Sequence, residues 1–178
     1  MLRYYIAGAT TDNAGEPGDP RNVIASLPAN VKDTSDPSGS TLLDPGNGTL
    51  GVYEPSGSFY IKLDKFEYST TVTDGGKQPS AGQQFAIATV TVKSPFIRVS
   101  INDVEGGDYQ VLTADDDRIK PNDFLKATSD KAAEHVFVPG DEYTFRILFN
   151  IDSSTTVKTL TLGTGGSADW NYDVSAIK

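Results

Sequence analysis

Between Tyr143 and Ile151 every second side chain is large and apolar: Tyr143, Phe145, Ile147, Phe149 and Ile151 alternate with residues that include Thr144, Arg146 and Asn150. Only an extended strand has a side-chain period of two, so this segment predicts a β-strand with one buried face. The same rhythm returns along the second part of the chain. Phe59, Ile61 and Leu63 oppose Lys62 and Asp64, and Phe85–Val92 is apolar and β-branched. In Phe96–Ile101, Ile97, Val99 and Ile101 share one face and Arg98 and Ser100 the other. Val157–Leu162 follows, and Trp170–Ala176 places Trp170, Tyr172, Val174 and Ala176 together. Asp74-Gly75-Gly76, Glu105-Gly106-Gly107 and Pro139-Gly140 punctuate the strands as turns. Strands at this spacing predict an antiparallel β-sandwich or barrel of about seven or eight strands. Asn122–Ala133 has a helical composition and predicts a short helical connection.

Composition changes near residue 57. Gly8–Gly57 holds eight glycines and six prolines, 14 of 50 positions, and few apolar residues. Such a stretch predicts an extended, irregular N-terminal arm over residues 1–57, ahead of a domain over residues 58–178. Short strands are expected within it at Leu2–Ile6 and Leu50–Tyr53. A β-prone piece such as Leu2, Tyr4, Tyr5 and Ile6 can add to an open sheet edge, its own or another subunit's.

The chain has 178 residues, no cysteine, one histidine (His135) and a net charge of −9. Disulfides, thiolate chemistry and Cys-ligated metals are excluded, and multi-histidine metal sites lack their ligands. The acidic balance argues against a nucleic-acid partner, which needs a basic face. No run approaches the apolar length of a membrane span, and the start, MLRYYIAGATTD, lacks the apolar core of a signal peptide. Two readings remain, a cytoplasmic protein or a mature form whose export signal has been removed; low lysine, abundant Thr, Ser and Gly and an acidic pI resemble secreted or surface β-proteins and favour the second, a secreted or cell-surface expectation.

The order of motifs resembles a bacterial immunoglobulin-like domain family of unknown function, found on secreted proteins and surface lipoproteins. PSAGQQFAIATVTVKS (Pro79–Ser94) is similar to its first long strand, with Ser94-Pro95 where the family has Asn. YQVLTADDDRIKP (Tyr109–Pro121) resembles its aromatic–Leu–acidic hairpin. FVPGDEYTFRILFNI (Phe137–Ile151) and VKTLTL (Val157–Leu162) resemble its Pro-Gly turn, apolar strand and following strand. The resemblance covers residues 58–177 and implies an immunoglobulin-like sandwich, exported and non-catalytic, with no catalytic residue to carry over.

Clustered carboxylates are the ligands hard cations prefer. Asp103, Glu105, Asp108, Asp115, Asp116 and Asp117 are candidate Ca²⁺ ligands if their loops meet at one end of the sandwich, with solvated loops as the alternative. Asp12, Asn13, Glu16 and Asp19 form a second acidic group in the arm. No pair of carboxylates is singled out for glycosidase chemistry. His135 lacks a Ser/Asp pattern around it and reads as a hydrogen-bonded histidine. Trp170 and Tyr172 read as core. Asn47-Gly48-Thr49 is a formal glycosylation sequon. No cofactor other than Ca²⁺ is suggested. The function expected is a non-catalytic binding domain of the cell envelope, with a protein partner or a second copy. The alternative is a structural subunit of a filament, tube or layer, assembled by strand addition through the arm.

Overall fold

The computed structural model describes residues 2–5, 24–27, 46–70, 77–94, 97–164 and 169–177, and the chain divides into two units, Met1–Thr41 and Leu42–Lys178. In the first, β1 (Leu2–Tyr5) pairs antiparallel with β2 (Ile24–Leu27), Leu2 opposite Leu27 and Tyr5 opposite Ile24. The strand expected at the N-terminus is thus present, with Ile6 outside the described residues. Its partner is a segment that composition alone left in the irregular arm.

The second unit runs through β3 (Glu54–Ser56), β4 (Phe59–Ser69), β5 (Gln83–Ser94), β6 (Val99–Ser100), α1 (Ile101–Glu105) and β7 (Tyr109–Thr113). It continues with β8 (Arg118–Ile119), β9 (Asp123–Lys126), β10 (Val136–Phe137), β11 (Asp141–Asp152), β12 (Val157–Leu162) and β13 (Trp170–Asp173). A five-stranded sheet of order β3-β4-β5-β11-β9 and a four-stranded sheet of order β13-β12-β7-β8 are antiparallel throughout. Eight of these nine strands follow Ser58. Reading β4, β5, β7, β9, β11, β12 and β13 as strands A to G gives the ABED and GFC sheets of an immunoglobulin-type sandwich, with β8 added beside β7. The inner faces meet in one core, where Ile61, Leu63, Val90, Phe145, Ile147 and Leu160 are almost completely buried.

The break expected at residue 57 falls inside this unit. Asn47 bridges Asn171 in parallel, with Asn171 N–H donating to Gly46 O (3.0 Å) and Gly48 N–H to Asn171 O (2.9 Å). β3 pairs with β4, and Trp170 Nε1–H donates to Pro55 O at 2.7 Å. Residues 46–56 therefore join one sheet and then the other. Their glycines are required by close packing: a Cβ at Gly48 would fall 2.5 Å from the Tyr172 ring, and one at Gly46 would enter the Trp170 ring. The expected strand at Leu50–Tyr53 is instead a turn followed by the approach to β3.

Two other expectations are corrected. In Phe96–Ile101, of which Phe96 lies outside the described residues, the strand is Val99–Ser100, because Ser100 caps α1 by accepting from Asn102 N–H. Asn122–Ala133 is not helical: β9 pairs with β11, and the chain folds back so that Ala133 N–H donates to Phe124 O. Phe124 and Ala133 pack on the core and Leu125 on a second cluster with Phe85, Ile87 and Leu148 on the sheet's other face. Tertiary burial overrides local composition there.

Candidate functional site

On β7, β12 and β13 the inward residues Tyr109, Val111, Leu160, Leu162 and Tyr172 are buried, which turns the intervening residues outward. Strand register aligns them in two rows across the sheet. Asn47, Asn171, Thr161 and Gln110 lie opposite one another in sequence, as do Asp173, Thr159, Leu112 and Arg118. Together with Asp169 they line an open trough of about 470 Å³. Adjacent members of a row sit on neighbouring strands, ~4.8 Å apart.

Eight of the nine lining residues are polar, and only Leu112 is apolar. Thr161 Oγ1–H donates to Asn171 Oδ1 at 2.8 Å. Asp173 accepts from Ser175 N–H (3.0 Å) and Oγ–H (2.7 Å), which holds its carboxyl below the usual range. Asp169 is raised, first by burial and then by Asp108. The side chains of Asn47, Gln110, Arg118 and Thr159 have no partner among the described residues. The lining offers amides, hydroxyls, a guanidinium and two carboxylates, groups that can orient a ligand by hydrogen bonds.

The outer face of the five-stranded sheet is different, because its polar groups bind one another. Thr91 Oγ1–H donates to Asp64 and also meets Thr144 Oγ1 at 2.7 Å. Lys62 pairs with Asp64 (2.8 Å), Lys93 with Glu142 (3.0 Å), and buried Arg146 with Asp130 (3.0 Å).

The six acidic candidates do not converge. Asp103 and Glu105 lie on α1 and Asp108 just after it, whereas Asp115, Asp116 and Asp117 form the β7–β8 turn. β7 separates the two groups by about 20 Å of strand. Each group has a local role. Asp116 adopts a left-handed φ of 67° and pairs with Lys158 at 2.8 Å. Asp117 N–H donates to Thr113 Oγ1, and Asp108 lies 3.6 Å from Lys120. Burial raises the Glu105 carboxyl. Among the described residues no three His, Asp or Glu side chains are grouped to hold a metal ion. Asp12, Asn13, Glu16 and Asp19 lie outside the described residues. Leu2, Tyr4 and Tyr5 are in β1, paired with β2.

His135 Nε2 is 3.0 Å from Asp141 Oδ2, and its ring stacks on Tyr143 at 4.4 Å and meets Phe137 edge-on. These contacts pin the β10 entry to β11. Tyr172 is buried and Trp170 packs against the core. The residues that sequence reasoning missed are the outward ones: Gln110, Thr159, Thr161, Asn171 and Asp173 alternate with core positions, but only the register aligns them. Asn47 of the sequon is exposed at the end of the first row.

No protein-family model matches the sequence, and no curated protein matches it. The fold is similar to that of an uncharacterized β-sandwich protein from Clostridium difficile 630, with a TM-score of 0.56 at 12% identity over 74% of this chain and 94% of that one. A presumed lipoprotein from Bacillus subtilis strain 168 gives a TM-score of 0.48 at 14% identity, over 71% of this chain and 39% of its own. The first likeness shows a β-sandwich.

Proposed function

We propose that the chain is a non-catalytic binding domain working outside the cytoplasm, and that it binds its envelope partner through the outer face of β13, β12, β7 and β8. The observation that carries this is the contrast between the two outer faces. One spends its polar groups on internal pairs, while the other lines a trough in which the side chains of Asn47, Gln110, Thr159 and Arg118 have no partner among the described residues. Low lysine, abundant Thr, Ser and Gly and an acidic balance support a place outside the cytoplasm. Co-sedimentation of the full chain with cell-envelope fragments of the source organism tests the proposal. Thr161→Trp, which fills the middle of the trough from a strand position that favours aromatics, is expected to lower the bound fraction about tenfold, a loss of ~1.4 kcal/mol. Equal binding by both proteins, or none by either, counts against it.

Assembly through the first unit is the second reading. Among the described residues β1 and β2 pair only with each other, and a two-stranded sheet is marginal alone, so the β1–β2 pair is suited to accept a strand from another copy. Light scattering on the full chain across a concentration series tests this, and a constant monomer mass removes it.

A further inference from the structure

We infer that the partner at this trough is a neutral, polyhydroxylated glycan laid across the strands. The inference rests on the binding face proposed above and names its ligand class. Side-chain amides and hydroxyls both donate and accept, as sugar hydroxyls do, and Asn47, Gln110, Thr159, Thr161 and Asn171 supply five such groups. The charged lining groups are Arg118, Asp169 and Asp173, one positive against two negative. A polyanion would therefore meet net repulsion here and from the chain's −9 overall. An apolar partner would find Leu112 alone and would strand the polar groups around it, each a desolvation cost of about 1–3 kcal/mol.

Geometry favours a chain of repeating rings. The row Asn47–Asn171–Thr161–Gln110 presents one polar side chain per strand, every ~4.8 Å, close to the length of a pyranose ring. The row Asp173–Thr159–Leu112–Arg118 runs beside it. Threonine is stiff at χ1, and the Thr161–Asn171 bond fixes two of the groups in advance, so little side-chain freedom is lost on binding. The nearby lysines are already engaged, Lys158 with Asp116 and Lys120 with Asp108.

The experiment uses the full chain and envelope fragments of the source organism in three portions: untreated, protease-digested, and oxidised with periodate then reduced with borohydride. Periodate cleaves vicinal diols and leaves peptide bonds intact. Binding is expected to fall about tenfold or more after periodate, and to be insensitive to ionic strength because the ligand is neutral. Survival after protease assigns the glycan to a polysaccharide, and loss in both treated portions assigns it to a glycoprotein. Thr159→Val with Thr161→Val keeps the side-chain shape and β-propensity; it is expected to weaken binding about tenfold while the chain stays folded, its melting temperature lowered by no more than the loss of the Thr161–Asn171 bond, about 1 kcal/mol, accounts for. Full binding after periodate together with loss after protease overturns the glycan while leaving the binding face standing, and so does binding that weakens steeply with salt. Failure of the untreated fragments to bind overturns both.

Discussion

Asp116 shows how one residue type serves chemistry that a count of charges cannot distinguish. It occupies the left-handed region at φ 67° in the β7–β8 turn, and Asp116 N–H donates to Thr113 O. Aspartate tolerates that region better than most residues. Asp116→Ala is therefore expected to cost about 1 kcal/mol in urea unfolding, with Asp116→Gly closer to wild type. Two equally stable variants would contradict the turn role. Arg146 makes the complementary point. Period two put it on the solvent side of β11, yet it is buried with Asp130, donating to Lys126 O and Ser129 O as well as the carboxylate. Removing Arg146 alone strands a buried charge and is expected to cost about 3–5 kcal/mol. Arg146→Met with Asp130→Ala should recover most of that, a coupling a double-mutant cycle measures. Glu105 adds a pH dependence. Burial raises its folded pKa, so its contribution is fully present below the unfolded value near about 4.3 and is lost as pH rises through the folded one. Glu105→Gln is expected to melt higher than wild type at neutral pH and equally below about pH 4. An offset that does not vary with pH would exclude this.

At the scale of elements, the alternation of Phe145, Ile147, Phe149 and Ile151 was legible because one face of β11 meets the core. Leu148 was not, since its burial comes from a second cluster on the opposite face, with Phe85, Ile87 and Leu125. Lys77, before β5, reaches Asp123 of β9 at 2.6 Å on that side of the fold. Residues 46–56 were read as irregular from their glycines, yet Gly46 and Gly48 are what lets this segment run against Trp170 and Tyr172. Gly48→Ala is expected to destabilise by about 1–3 kcal/mol through overpacking. A variant as stable as wild type would mean that this segment is not seated on β13. The same packing protects edges. Residues 46–48 cover β13, the fold-back to Ala133 covers β9, and β3 is short and carries Pro55. These are devices that discourage edge-to-edge association at β13, β9 and β3.

For the whole molecule, the layered antiparallel architecture could be read from side-chain rhythm, because burial of one face imposes it on every strand. The candidate site could not. Its residues are the unremarkable outward members of three strands, the β8 edge and one bridge, joined only by register. The acidic residues that did stand out are spent on a helix, a turn and surface ion pairs. The proposed meeting place of this chain and its partner is the trough of the β13-β12-β7-β8 sheet. The most direct measurement is an amide chemical-shift map of the full chain as solubilised envelope glycan is added. Shifts are expected to concentrate on Gln110, Thr159, Thr161 and Asn171, with the outer face of the five-stranded sheet silent. Shifts confined to that other sheet or to the β1–β2 hairpin, or none at all, would contradict it.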